Sequence, residues 1–212
     1  MTTITDSFNR ANGALGNADT GETWTQVGPA NFTIVSNHAS ISSTEGVAIA
    51  DATFSHDVDI TIELTANPSN SGIVLHYRDL NNLTYVQVNA AVVGLYRRAA
   101  GTFATLASTG NLRASGESLR VVSIDGVVYC YADTQLVIAH EDDFSLVTDT
   151  GVGIRGISST INSFTATDIV SPIPDLTGEV IDDFDLPGDP LESEAWVYKG
   201  RDAKALDTVG AS

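Results

Sequence analysis

Residues 71–108 read SGIVLHYRDLNNLTYVQVNAAVVGLYRRAAGTFATLAS, and their spacing decides the fold. From Gly72 to Tyr77 the residues alternate, with Ile73, Leu75 and Tyr77 on one face and Val74, His76 and Arg78 on the other. Asp79, Asn81 and Asn82 then turn the chain, because short amides and carboxylates bond their own backbone and tolerate left-handed dihedrals. Alternation resumes from Thr84 to Asn89, with Thr84, Val86 and Val88 against Tyr85, Gln87 and Asn89. A third run covers Val93 to Arg98, and Gly101 turns it into a fourth from Thr102 to Ala107. Period-two patterning repeated between turn signals predicts antiparallel sheet.

The same reading extends in both directions. The stretch SHDVDITIEL, from Ser55 to Leu64, sets Val58, Ile60, Ile62 and Leu64 against Asp57, Asp59, Thr61 and Glu63. Asp125-Gly126 lies between the alternating runs 120–124 and 127–131, a strong hairpin signal because both central residues need positive φ. Phe32 to Val35 and Ala39 to Ile41 form a further hairpin, closed by Ser36-Asn37-His38. Short strands are also expected over Gly46 to Ala50, Leu136 to His140, Gly151 to Arg155 and Ser163 to Ile169. That makes about a dozen strands and no helix. The fold class is all-β: a two-sheet antiparallel β-sandwich or jelly roll.

Ahead of these strands, Asp6, Phe8 and a Gly/Asn/Asp-rich loop lead to Trp24. A tryptophan beside a long loop is expected to plug the core with its N–H satisfied. Cys130, the single cysteine, sits in the strand pattern GVVYCYA and is expected to be a small core residue. It has no partner for an intramolecular disulfide.

Composition narrows the function. Among the 212 residues, Lys and Arg number 10 and Asp and Glu 27, a net charge of −17. Such a surface repels phosphate backbones and anionic membranes, so neither nucleic-acid binding nor membrane insertion is expected. No apolar run reaches the roughly 18 residues of a spanning helix. MTTITDSF has neither a basic region nor an apolar core, so a secretory signal is not expected. The chain would be made in the cytoplasm and leave by lysis or within a particle.

Composition shifts near residue 171. Ser171-Pro172-Ile173-Pro174-Asp175 is a stiff linker, since each proline fixes φ and removes a donor. Beyond it the chain begins to repeat itself. Ile181-Asp182-Asp183-Phe184 matches Thr5-Asp6-Ser7-Phe8, Leu191 falls at the same offset from Leu15, and Trp196 aligns with Trp24 after a short deletion. The expected domains are a sandwich over 1–170, a linker over 171–178, and a partial second module or assembly arm over 179–212. Phe184, Leu191 and Trp196 are the assembly candidates, since so short a segment cannot build its own core.

Four blocks together resemble the concanavalin A-like lectin/glucanase superfamily in its laminin-G-like branch. They are DSFNRANGALG with Trp24, SGIVLHYRDLNNLTYVQVN, VGLYRRAAGTFATLAS, and ESLRVVSIDGVVYCYADTQLVIAHED with GVGIRG. Similar domains occur in minor tail and other virion proteins of phages. The resemblance implies the fold over residues 4–170; it leaves function open, because the superfamily holds enzymes, lectins and structural modules.

Three chemistries follow. Glucanases of the superfamily use a Glu-x-Asp-x-Glu strand, since cleavage needs carboxyls at fixed separation across the bond. Here Asp59 and Glu63 share a face, but Thr61 interrupts the set, so no catalytic residue is assigned. Laminin-G-like domains often bind calcium through loop carboxylates, and Glu141, Asp142 and Asp143, with Asp79, are the metal candidates. No other cofactor is expected, and the lone His140 beside this patch lacks a second histidine for zinc. For glycan binding the candidates are His76, Arg78, Tyr85, Gln87, Asn89, Tyr96 and Arg98, if their faces coincide. A solvated scaffold face is the plainer reading of the same residues, and an aromatic content of 7% favours it.

The expectation is therefore a non-enzymatic structural or adhesion component of a bacteriophage virion, a minor tail or capsid-surface protein. Its partners would be other virion proteins, copies of itself and a host surface glycan. A carbohydrate-binding lectin module is the alternative, and a glycoside hydrolase a second.

Overall fold

Alternation as regular as that of residues 58–64 buries every second side chain. In the computed structural model, Val58, Ile60, Ile62 and Leu64 are buried while Asp59, Thr61 and Glu63 face outward. The structure describes residues 1–42, 44–64, 70–110, 118–141 and 151–169. All belong to the first of the chain's two units, Met1–Ser171. The proposed linker and partial module, with Phe184, Leu191 and Trp196, lie outside the described residues, as do Asp142 and Asp143.

The described residues form strands and no helix. In order these are β1 (Thr3–Asp6), β2 (Gly13–Ala14), β3 (Trp24–Gln26), β4 (Thr33–Val35), β5 (His38–Ile41), β6 (Gly46–Ala50), β7 (Val58–Leu64) and β8 (Ser71–Asp79). Then follow β9 (Asn82–Val88), β10 (Val92–Ala99), β11 (Thr102–Gly110), β12 (Ser118–Ile124), β13 (Val127–Ala132), β14 (Gln135–Glu141), β15 (Gly151–Gly156) and β16 (Ser159–Asp168). They make two antiparallel sheets. The nine-stranded sheet runs β14-β13-β12-β7-β16-β5-β4-β2, with β1 also on β16; the seven-stranded sheet runs β11-β10-β9-β8-β15-β6-β3. Strand β16 exceeds its neighbours in length, so one edge serves two partners: Ser159–Ile161 pair with β5 and Phe164–Thr167 with β1.

The sheets pack face to face over one core. Ile60, Ile62, Leu119, Val121, Val128, Cys130, Phe164 and Ala166 come from the nine-stranded sheet. Ile73, Leu75, Val86, Val88, Val93, Leu95, Val152 and Ile154 come from the seven-stranded one. Each large side chain fully removed from water contributes roughly 1.5–3 kcal/mol. The hairpins behave as their turn residues require. Asp125 and Gly126 take φ of 48° and 85° between the paired Ile124 and Val127, and Ser36 and Asn37 take 52° and 64° between Val35 and His38.

The opening motif closes one edge of this core around a single buried carboxylate. Asp6 Oδ1 accepts from Phe8 N at 2.8 Å and Arg10 Nη1 at 2.7 Å; Oδ2 accepts from Arg10 Nη2 at 2.8 Å and Trp24 Nε1 at 2.7 Å. Arg10 also donates from Nε to the carbonyl of Leu15 at 3.0 Å. The Asp6–Phe8 bond holds Phe8 at φ 53°, a conformation rare outside glycine. Phe8 and Trp24 then lie with ring centroids 6.1 Å apart, and Trp24 meets Phe164 edge-on at 5.1 Å. Trp24 is the core plug its sequence context predicts, 4% exposed with its N–H bonded.

One register differs from the alternation read in the sequence. A bulge falls between Val74 and His76, so Val74 pairs with Tyr85 but His76 with Thr84. Leu75 stays in the core, His76 is carried to the same side, and Tyr77 joins Val74 on the opposite face. An inserted residue in a period-two element inverts every later side chain.

Candidate functional site

A second apolar cluster lies on the outer face of the seven-stranded sheet, where alternation alone would place polar residues. It comprises Val47, Ile49, Val74, Leu83 and Tyr85, with Val27, Tyr77, Leu80 and Tyr96 half-buried against it. Cross-strand pairing sets this face out in rows. One row runs Val47, Arg155, Gly72, Gln87, Gly94 and Ser108. The next runs Ile49, Gly153, Val74, Tyr85, Tyr96 and Thr105, and a third runs Gly151, Tyr77, Leu83, Arg98 and Phe103. Strands β8, β9, β10 and β11 thus each bring one aromatic ring to the face: Tyr77, Tyr85, Tyr96 and Phe103.

Glycine and arginine organise the rings. A Cβ on Gly94 would lie 2.4 Å from the Tyr96 hydroxyl, so the Tyr96 ring folds down over that gap. It stacks on Tyr85 with centroids 5.3 Å apart and planes 22° from parallel. Arg155 lies on the same ring, its Cζ 4.4 Å from the Tyr85 centroid. Its Nε donates to Glu45 Oε1 at 2.8 Å and its Nη1 to Gln87 Oε1, while Gln87 Nε2 donates to Asn70 Oδ1 at 2.8 Å. Arg98 repeats the device one row along: Cζ sits 4.4 Å above the exposed Phe103 ring and Nη1 donates to the Leu80 carbonyl at 2.7 Å. Burial raises the Tyr85 hydroxyl above its ordinary pKa, with Glu45 and Tyr96 acting in the same sense against Arg155 and Arg98. Burial raises Tyr77 likewise, helped by the charge of Asp79.

Of the glycan candidates read from the sequence, Tyr85, Gln87, Tyr96 and Arg98 meet on this face. His76 does not: the bulge turns it inward, 2% exposed, with its ring 6.0 Å from that of His56. Burial lowers the His76 pKa to about 4, aided by the charges of His56 and Arg97 against a hydrogen bond that His76 donates to the His56 backbone. Arg78 is an exposed neighbour of Asp79 at 4.0 Å, near the turn. Asn89 is a turn residue whose Oδ1 accepts from the backbone N–H of Ala91 and Val92, both at 2.9 Å.

Arg155, Glu45, Tyr77 and Phe103 belong to the face and were not among those candidates. Arg155 had a signal, being the one charge in the run GVGIRG, and such a charge is retained only with partners. Tyr77 was hidden by the bulge. Beside these residues, Thr25, Val27, Ile49, Asp51, Thr53, Tyr77 and Gly151 border a pocket of about 340 Å³.

The remaining candidates are engaged elsewhere. Asp59 forms a bidentate pair with Arg120, at 2.8 and 2.6 Å, on the outer face of the nine-stranded sheet. Asp79 accepts from the Asn81 backbone at 2.7 Å and from Asn82 Nδ2 at 3.0 Å, and these bonds, the Asn82 side chain first, lower its pKa. Glu141 ends β14 and is exposed. Among the described residues, no group of three His, Cys, Asp or Glu could hold a metal ion.

No protein-family profile matches the sequence, and no curated protein does. Solved structures do match. A carbohydrate binding module, CBM66, from Bacillus subtilis is similar at 19% identity and TM-score 0.53, covering 66% of this chain and 91% of its own. The β-glucanase of Bacillus licheniformis is similar at 10% identity and TM-score 0.54, covering 80% and 99%. The exoplasmic/lumenal domain of VIP36, in a Ca2+/Man2-bound form, is similar at 10% identity and TM-score 0.52, covering 79% and 88%. The chain has the two-sheet jelly-roll fold on which lectin-type and glucanase domains are built.

Proposed function

We propose that the domain is a carbohydrate-binding module whose ligand lies on the outer face of the seven-stranded sheet. The observation that carries this reading is the Tyr85–Tyr96 stack, braced by Arg155 and Gln87 and flanked by Arg98 over Phe103. Sugar recognition needs an apolar plate for the C–H side of the ring and fixed polar groups for its hydroxyls. Tyr96 and Phe103 supply plates. Arg98, the tyrosine hydroxyls and Asp51 supply donors and acceptors. Because the bonds among Arg155, Glu45 and Gln87 exist before a ligand arrives, little ordering is left for binding to offset. The neighbours described as a carbohydrate binding module and as a Ca2+/Man2-bound domain support the reading at the level of fold.

Its test is a glycan array probed with the whole chain, followed by calorimetry on the best ligand. Tyr96→Ala should weaken binding about tenfold, the loss of one stacked ring with its contacts, and leave the circular dichroism spectrum unchanged. Array binding by a folded Tyr96→Ala protein equal to that of the parent, or no binding by the parent, refutes it.

A second reading keeps the virion setting, with this face displayed on a phage particle. What favours it is the block from Asp6 to Trp24, which resembles the opening of virion modules. Mass spectrometry of purified particles from a phage encoding the chain tests it, and absence from the particles removes it.

A further inference from the structure

The pocket and the aromatic pairs sit on one face, at opposite ends of the same rows. Ile49 in the pocket wall leads through Gly153 and Val74 to Tyr85 and Tyr96. Tyr77 and Gly151, also in the wall, lead through Leu83 to Arg98 and Phe103. Gly153 has no side chain to interrupt the first path, and a Cβ there would strike the Ala48 carbonyl at 2.1 Å. From β6 to β11 the track crosses five strand spacings, about 24 Å. That length accommodates several sugar rings, far more than one.

Charge along the track is balanced among the described residues. Arg155 is paired with Glu45, and Arg98 at one end is matched by Asp51 at the other. The surrounding chain, at −17, repels anions. Resting on the carbohydrate-binding reading, we propose that the ligand is an uncharged oligosaccharide chain laid across the strands, with one end in the pocket beside Asp51 and its body over Tyr96 and Phe103.

The experiment is calorimetry of the whole chain with gluco- and manno-oligosaccharides of increasing length, beside oligouronates, at low and high salt. Affinity should rise at least tenfold from the monosaccharide to the longer oligomers. It should change less than about twofold with salt, since no ligand charge is there to be screened. Phe103→Ala should cost about three- to tenfold with the longest oligomers and nothing with the monosaccharide, while Asp51→Asn should weaken every length. Both positions are exposed, so the fold tolerates the changes. A monosaccharide bound as tightly as the longest chain overturns the extended track, and oligouronates bound more tightly at low salt overturn the neutral class, both leaving the binding reading standing. Silence toward the neutral and acidic series from a chain that binds some other array glycan also overturns this inference alone. No binding to any glycan at all fells the underlying reading.

Discussion

Asp6→Ala should be among the most destabilising single changes in the domain, and its cost can be worked from the bonds it removes. The carboxylate is fully buried, while its partner Arg10 is 25% exposed. Truncation strips acceptors from Trp24 Nε1, the Phe8 amide and two guanidinium nitrogens at once. A buried donor left without a partner costs about 1–3 kcal/mol. Breaking a buried ion pair costs about 3–5 kcal/mol, less here because Arg10 reaches water and keeps the Leu15 carbonyl. These contributions overlap, so the expected total is about 3–4 kcal/mol. For a domain of this size that is a fall in Tm of about 10 °C. Urea denaturation followed by circular dichroism and tryptophan fluorescence reads it. Ser7→Ala, one residue along, loses only two exposed bonds of its hydroxyl, one donated to Asp19 and one accepted from the Asn9 amide, and should cost about 0.5 kcal/mol. Trp24→Phe keeps the ring but not the N–H, and should couple to Asp6→Ala by about 1 kcal/mol or more in a double-mutant cycle. An Asp6→Ala protein within 1 kcal/mol of the parent, or zero coupling to Trp24, would refute the idea that this carboxylate holds the closure.

Two further outcomes follow from buried groups. His76 has its folded pKa depressed to about 4, so the unfolded chain takes up its proton first; stability should be indifferent to this group above pH 6.5 and fall by about 3 kcal/mol as pH drops from 6.5 to 4, a slope that His76→Gln should lessen in urea titrations. Burial pushes the Cys130 thiol up to about 12, so iodoacetamide at pH 8 should leave the native protein unlabelled and modify it in denaturant; rapid native labelling would mean the core around β13 opens readily.

What the sequence disclosed and what it hid divide along the range of the interactions. Val58 to Leu64 announced its buried face because alternation is a local property. Asp125-Gly126 announced its turn because positive φ at both positions restricts the residues allowed. Trp24 was legible as a plug, since a lone indole beside a flexible loop has few other uses. Its partner Asp6 was quoted in the opening motif without being assigned the bond, because nothing local says which carboxylate a distant N–H will find. The bulge at Leu75 left no mark in composition, yet it removed His76 from the candidate face and placed Tyr77 there. Arg155 on β15, Gln87 on β9 and Glu45 just before β6 converge from positions far apart in sequence, so their association needed the strand order before it could be read.

The same strand order explains how so acidic a chain can offer a face without excess negative charge. Strands β8 to β11 contain one acid, Asp79, beside Arg78, Arg97 and Arg98, against 27 acids in the whole sequence. On the other sheet, Asp59 and Glu63 project outward from β7 alone, with Arg120 pairing only Asp59. On the aromatic face, arginines serve as flat covers for rings, and their charge is met by Glu45 or by a backbone carbonyl. A guanidinium suits that position better than an ammonium, because its planar, weakly hydrated group stacks on an aromatic ring while its edge still donates. Arg155→Lys should accordingly keep the charge opposite Glu45 but uncover Tyr85. A glycan affinity lowered as far by Arg155→Lys as by Arg155→Ala would establish that the flat cover, and not the positive charge, is what the site requires.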